Sequence, residues 1–147
     1  MRWLLRPSAF LLATYLVLLA VALFSPSSDQ QSNAVIWLEG LLRDLGAPPR
    51  LASYDRLEVV MNAVIVAPAT FLASVVVPRF GWRDWTSFGF VASMAVEGVQ
   101  SLLLPGRQGS FSDVVANTAG ALIGSALFAA IRYLAGSRSM LRTSRPD

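Results

Sequence analysis

Six polar residues lie in or beside apolar stretches of the sequence, at positions where their side chains can reach one another: Asn62, Glu97, Gln100, Arg107, Asp113 and Asn117. Glu97 and Gln100 are three residues apart, and Glu58 and Asn62 are four apart, so each pair shares one face of a helix. Carboxylates, amides and a guanidinium group bind a polar ligand through hydrogen bonds, and a carboxyl group can also act as a general acid or base. We take these six residues as the candidate ligand-binding site, with Glu97 and Asp113 as the candidate catalytic groups.

The composition restricts the chemistry to these kinds of side chain. The 147 residues include no cysteine and no histidine, which excludes disulfides, thiolate nucleophiles, histidine-liganded zinc and Ser-His-Asp triads. We expect neither a metal nor another cofactor. Hydrophobic residues make up 54% of the chain and charged residues 14%, against about 25% charged residues in soluble domains. With a mean hydropathy of +0.54, these fractions indicate a small integral membrane protein.

Four apolar segments are long enough to cross a bilayer, which takes about 20 residues of helix. They cover residues 8–24, 57–77, 85–104 and 114–134. The sequence therefore predicts an all-α integral membrane protein, a bundle of four transmembrane helices forming one domain over residues 1–136.

The long connection between the first two spans is predicted to contain an amphipathic helix. It begins at Ser32 or Asn33, and Gly46, followed by two prolines, stops it. Its apolar face is formed by Val35, Leu38, Leu42 and Leu45. We expect this helix, in the first outer loop, to lie in the membrane interface or to cap the bundle.

Arginine placement predicts the orientation, because cytoplasmic connections of membrane proteins carry an excess of basic residues. One side of the predicted membrane has eight arginines: Arg2, Arg6, Arg79, Arg83, Arg132, Arg138, Arg142 and Arg145. The other side has four, mixed with acidic residues: Arg43, Arg50, Arg56 and Arg107. We expect a cell-membrane protein with both termini in the cytoplasm and a disordered basic tail over residues 137–147. The pI of 10.2 then reflects membrane topology and not a nucleic-acid partner.

The first span has an alternative interpretation as a cleaved signal peptide. Two arginines, an apolar run and the small residues around Ala20 and Ala22 are typical of one. Because the apolar run continues to Phe24 and no soluble domain follows, we favour a permanent anchor. The other three spans have the same orientation in both cases.

The depth of the polar residues is the most informative feature. From a rise of about 1.5 Å per residue, Asn62 lies roughly 7 Å, Glu97 roughly 10 Å and Asn117 roughly 5 Å below the outer end of its helix. Three helices thus place polar groups in one layer of the outer leaflet. Polar side chains inside membrane spans usually face the bundle interior and mark functional sites. The alternative is a polar clamp that only holds the helices together.

The fourth span carries a stripe of residues on one face: Asp113, Asn117, Gly120 and Gly124. The two glycines, four residues apart, permit close packing against a neighbouring helix. Arg107, just before this span, either pairs with Asp113 or holds an anion such as a lipid phosphate at the helix N-terminus. We favour the ion pair.

A pattern of an acid, a glutamine three residues on, then Arg, Asp, Asn and two Gly resembles the VanZ-like family of small membrane proteins, named for an accessory protein of teicoplanin resistance. Here it comprises Glu97, Gln100, Arg107, Asp113, Asn117, Gly120 and Gly124. Asn62 followed by Pro68 is a weaker second match, and the resemblance covers about residues 56–132. The family often has a further acid between the Arg and the Asp, where this chain has Ser110.

The resemblance implies a four-span protein of the cytoplasmic membrane whose polar cluster faces the cell exterior. Our leading hypothesis is a non-enzymatic envelope protein that binds membrane lipids or an amphiphile at the outer leaflet. Candidate ligands are a lipid-linked cell-wall precursor, another polyprenyl phosphate, or a lipoglycopeptide such as teicoplanin. One alternative is an enzyme that acts on such a lipid through Glu97 and Asp113. Another is a structural helper subunit.

Overall fold

The structure is a computed structural model that describes residues 2–23, 29–103 and 110–143, with side chains described over 7–23, 32–103 and 110–137. Helices are the only regular elements in these ranges: α1 (Arg2–Leu23), α2 (Asp29–Asp44), α3 (Tyr54–Val76), α4 (Trp82–Leu103) and α5 (Phe111–Thr143). This confirms the predicted all-helical fold.

Helix α5 lies between α3 and α4 and makes the largest contacts with both. Asn62 and Ala67 of α3 lie beside Asp113 and Gly124 of α5, so these two helices run parallel. Helix α4 runs antiparallel to α5, since its end at Glu97 lies against Ser110, just before the start of α5. The starts of α3 and α5 and the end of α4 therefore meet at one end of the bundle.

The parallel pair is packed through glycines. A side chain at Gly120 would overlap the backbone carbonyl of Ala63, and one at Gly124 would overlap that of Ala67. Only a residue without a Cβ atom allows the two backbones this close approach. We call the contact of Gly120 and Gly124 with α3 the glycine seam. On the other side of α5, Gly89 of α4 packs directly on the Cβ of Ala121.

Helices α1 and α2 pack mainly on α3. The hydroxyl of Tyr15 in α1 donates a 2.6 Å hydrogen bond to the carbonyl of Ile65, one turn before Pro68. In α2, Val35 is buried, but Leu45 is 74% exposed, so the predicted apolar face does not contact the protein along its whole length. Gly46, with φ of 85°, follows the helix, as predicted from its backbone freedom.

Several helix boundaries differ from those expected. Helix α2 begins at Asp29, three residues before Ser32. Helix α5 continues to Thr143, so most of the tail expected to be disordered is helical, and residues 144–147 lie outside the described ranges. The ranges expected for the first three spans agree with α1, α3 and α4 to within a few residues, apart from extensions at their starts.

Two helices in the described part of the chain are long and apolar enough to cross a membrane: Tyr54–Val76 and Phe111–Ser137. Only 22% and 33% of their most apolar windows are buried inside the protein, so most residues there keep some accessible surface, as they do in helices that contact lipid. The apolar part of α1, Pro7–Leu23, is shorter. Helix α4 is less apolar, since it includes Arg83, Asp84 and Glu97.

Candidate functional site

Five of the six candidate residues lie at the end of the bundle where α3 and α5 begin and α4 finishes. We call this group the polar layer: Asn62, Glu97, Gln100, Asp113 and Asn117. The sixth candidate, Arg107, falls outside the described residues, so its two predicted roles stay predictions. Gln100 is buried, and the other four are half-buried.

Asn62 and Asp113 are joined directly. The Nδ2 amide of Asn62 donates a hydrogen bond of 2.8 Å to Oδ1 of Asp113. This bond links α3 to the first turn of α5, where a carboxylate also interacts favourably with the unpaired backbone N–H groups of the helix start. Asp113 also has a further interaction beyond this bond.

Glu97 reaches the same helix start from α4. Its Oε2 accepts a 2.8 Å hydrogen bond from the backbone N–H of Ser110. The Ser110 carbonyl accepts from the N–H groups of Asp113 and Val114, so Ser110 is the residue at which the hydrogen bonding of α5 begins. Two carboxylates from different helices thus converge on the positive end of α5.

Gln100 is directed to a different neighbour. Its Nε2 donates a 2.7 Å hydrogen bond to the carbonyl of Leu23, the last residue of α1. Carbonyls in the last turn of a helix have no partner within that helix, so a side-chain donor stabilises the helix end. Gln100 therefore connects α1 to α4, and the bond occupies one of its two amide hydrogens.

Asn117 differs from the other members of the polar layer. The residue is half-buried, and its side-chain amide makes no hydrogen bond to any described residue. It lines an open apolar cavity of about 350 Å³, whose other walls are formed by α1, α3 and α4. The amide is not among the fully buried polar groups of the described residues, so it is accessible to a ligand that enters the cavity.

The cavity was not anticipated from the sequence. Its walls are Leu12, Leu16, Leu19, Leu23, Val66, Ala69, Thr70, Ala73, Trp85, Phe88, Gly89, Ala92, Ser93, Val96 and Asn117. Three of these residues have a hydroxyl or amide side chain: Thr70, Ser93 and Asn117. The Thr70 hydroxyl is within hydrogen-bond distance of carbonyls in its own helix. The buried indole nitrogen of Trp85 has no acceptor among the described residues.

Two further residues of α4, Gly89 and Ser93, position the site, and their spacing could have been recognised in the sequence. Gly89 and Ser93 are four residues apart on α4, the same small-residue spacing as in the glycine seam, and Ser93 is buried. Tyr15 carries no comparable signal, because a single tyrosine in an apolar helix is equally common at a lipid-facing position.

The opposite end of the bundle has a different character. Arg79 lies over the ring of Phe80 at 4.8 Å, and Arg83 lies over Trp82 at 5.2 Å. Arg132 of α5 donates a 3.3 Å hydrogen bond to the carbonyl of Pro78. Basic and aromatic residues thus cluster at one end of the molecule, and the polar layer lies at the other.

These features define a class of helical protein with a polar layer at one end, basic and aromatic residues at the other, and at least two helices suited to a membrane. The chain belongs to the VanZ/LLP1 family, whose model matches residues 10–132. The match covers most of the chain and confirms the resemblance inferred from the motif. Comparisons with curated proteins and with solved structures give no significant match.

Proposed function

We propose that this protein crosses the cell membrane four times, with both termini in the cytoplasm, and binds an amphiphilic ligand at the polar layer in the outer leaflet. In this arrangement α1, α3, α4 and α5 are the spans and α2 lies on the outer surface. The ligand is a lipid-linked cell-wall precursor or a lipoglycopeptide such as teicoplanin, and its binding lowers glycopeptide susceptibility.

The topology is supported by the distribution of charge between the two ends. Arg79, Arg83 and Arg132 lie at the end opposite the polar layer, where the arginine excess predicts the cytoplasm. The aromatic rings beside them, such as Trp82, are typical of the membrane interface. The polar layer would then face the outer leaflet, where wall precursors are used.

The choice of ligand rests on the chemistry of the polar layer. Glu97 and Asp113 supply carboxylate oxygens, and Asn117 supplies an amide without a partner among the described residues. Such a set accepts hydrogen bonds from hydroxyl, amide and ammonium groups. Sugars and peptides of wall precursors and glycopeptides are rich in these donors. The unpartnered amide of Asn117 beside an apolar cavity is the observation that carries the proposal.

A structural role is the second candidate, and a specific observation favours it. The carboxylates of Asp113 and Glu97 each accept a hydrogen bond from another part of the bundle, as a polar clamp requires. The two candidates differ in what they predict for Asn117, whose side chain makes no hydrogen bond to a described residue. Its replacement should abolish ligand binding at a binding site but should have no effect on a polar clamp.

The test compares ligand-dependent thermal stabilisation of purified protein in phosphatidylglycerol nanodiscs. The probes are a polyprenyl-diphosphate-linked disaccharide pentapeptide and teicoplanin. We expect at least one to raise the unfolding temperature of the wild type and of Ser101→Ala, a change at an exposed residue of α4. Asn117→Ala should unfold at the wild-type temperature without ligand and gain little with it. Equal gains in Asn117→Ala and the wild type would contradict the proposed site.

A further inference from the structure

We propose that the cavity between α1, α3 and α4 is a slot for one hydrocarbon chain of a lipid. The inference deepens the proposed function, on which it depends for the identity of the head group. It adds that the ligand is held by its tail inside the protein as well as by its head at the polar layer.

The slot is long and runs along the helices. Its walls extend from Leu12 to Leu23 on α1 and from Trp85 to Val96 on α4. Each of these stretches advances eleven residues, or about 16 Å at 1.5 Å per residue. That length is about half of the roughly 30 Å hydrocarbon core of a bilayer, and so is comparable to the length of one lipid tail.

The chemistry of the walls favours hydrocarbon over water or peptide. Leucine, valine, alanine and aromatic side chains form most of the lining. The slot is open at its side, where Leu16 and Phe88 are each 47% exposed, and its apolar lining offers water few of the two to four polar partners that it needs. A segment of polypeptide would bring backbone N–H and C=O groups that the slot cannot satisfy, at a cost of several kcal/mol for each group by transfer measurements.

The size of the slot also fits a single hydrocarbon chain better than a helix from a second copy of the protein. A helix with its side chains is about 10–12 Å across, so 16 Å of it would need more than roughly 1,000 Å³. The cavity has about 350 Å³. This volume is within the range of small-ligand pockets, about 300–1,000 Å³, and a single flexible chain meets both the length and the volume.

The slot is continuous with the polar layer. Asn117 belongs to both, since it lines the cavity and lies one turn after Asp113 on α5. Leu23, whose carbonyl accepts the bond from Gln100, also lines the slot. A lipid with its tail between α1 and α4 would therefore have its head group beside these residues.

Photolabelling tests the slot independently of the head group. The probe is palmitic acid with a diazirine on its chain, added in trace amount to nanodiscs of dimyristoylphosphatidylcholine. The readout is adduct formation on Ala73 and Ser93, which line the slot but are only 8% and 6% exposed, so that lipid outside the protein does not reach them. We expect adducts on both in the wild type.

Two substitutions should close the slot from different helices: Ala92→Trp on α4 and Leu16→Trp on α1. Each should reduce the adducts by about tenfold, the factor expected when roughly two methylene groups lose their buried position. The matched control is Val91→Trp, since Val91 is exposed, adjacent to Ala92 and absent from the slot walls. It should leave the labelling unchanged, and thermal unfolding checks that all three variants are folded.

The two proposals fail in different ways. The slot would be overturned if the wild type formed no adducts, or if both slot variants folded and were labelled as strongly as the wild type. Either result would hold against the slot even if binding of the wall precursor still depended on Asn117. Adducts that disappear only in the slot variants would support the slot. If Asn117→Ala were at the same time stabilised by the ligands as much as the wild type, the proposed head-group site would be overturned.

Discussion

The amide of Asn62 in α3 donates a 2.8 Å hydrogen bond to the carboxylate of Asp113 in the first turn of α5. The two residues are 51 positions apart in the chain, and both are half-buried. The bond therefore lies where the parallel helices α3 and α5 start, and it fixes the carboxylate on which the proposed head-group contact depends.

Removing the donor of this bond should destabilise the protein. Asn62→Ala leaves the half-buried carboxylate without one of its partners, and we expect a loss of about 1–3 kcal/mol in the free energy of unfolding. Asp113→Asn should cost less, because the new amide oxygen still accepts from Asn62. Equilibrium unfolding in detergent measures both variants, and a larger loss for Asp113→Asn would contradict this role of the bond.

The glycine seam makes a sharper prediction. Gly124→Ala puts a methyl group against the carbonyl of Ala67, and we expect a loss of about 1–3 kcal/mol or more. Gly98→Ala is the matched control in α4, because nothing lies within 4 Å of a methyl group there. That change should be neutral or stabilise by about 0.4–1 kcal/mol. Similar unfolding temperatures for both variants would exclude close packing at Gly124.

Gln100 should contribute to the attachment of α1. Gln100→Leu removes the donor to the Leu23 carbonyl, with an expected cost of about 1 kcal/mol and faster amide hydrogen exchange in the last turn of α1. Ser101→Ala removes a hydroxyl that bonds only within its own helix and serves as the control. Unchanged exchange in α1 would show that the bond does not hold this helix end.

The proposed topology can be tested with single cysteines, since the natural sequence has none. Pro49→Cys and Pro78→Cys replace exposed residues on either side of α3. A membrane-impermeant maleimide added to intact cells should label the first variant and reach the second only after permeabilisation. Labelling of both in intact cells, or of Pro78→Cys alone, would refute the orientation.

A resistance role predicts a drug-specific effect. Expression of the protein in a susceptible Gram-positive host should raise the inhibitory concentration of teicoplanin more than that of vancomycin, because only teicoplanin carries a lipid tail that could use the apolar cavity. Asn117→Ala, produced at the same level, should lose most of the effect. No change for either drug removes resistance from the proposal and leaves binding of a wall precursor to be decided in nanodiscs.

The sequence was sufficient to predict the helices and the meeting of three of their polar residues at one end of the bundle. Apolar length gave the helices, and their alternating direction brought Asn62, Glu97 and Asp113 to one end of the bundle. Helical periodicity also indicated which face of α5 carries the glycines. All of these follow from the spacing of residues within one helix.

The partners of those residues could not be predicted in the same way. Gln100 and Glu97 share a face, yet one bonds α1 and the other bonds the start of α5. Spacing gives the face of a helix but not which neighbour lies opposite it. The cavity depends on the space left between three helices, and the length of α5 beyond residue 134 depends on a basic segment with no apolar pattern.

Backbone contact along the glycine seam restricts how the molecule can adapt to ligands of different size. Where two helices touch through main-chain atoms, no rotamer change can widen the gap between them. The backbones of α3 and α5 that carry Asn62 and Asp113 are therefore held at a fixed distance from each other. If the polar layer binds a head group as proposed, a bulkier one would have to be accommodated by displacement of α1 or of the last turns of α4, and those two helices would then discriminate between large and small ligands.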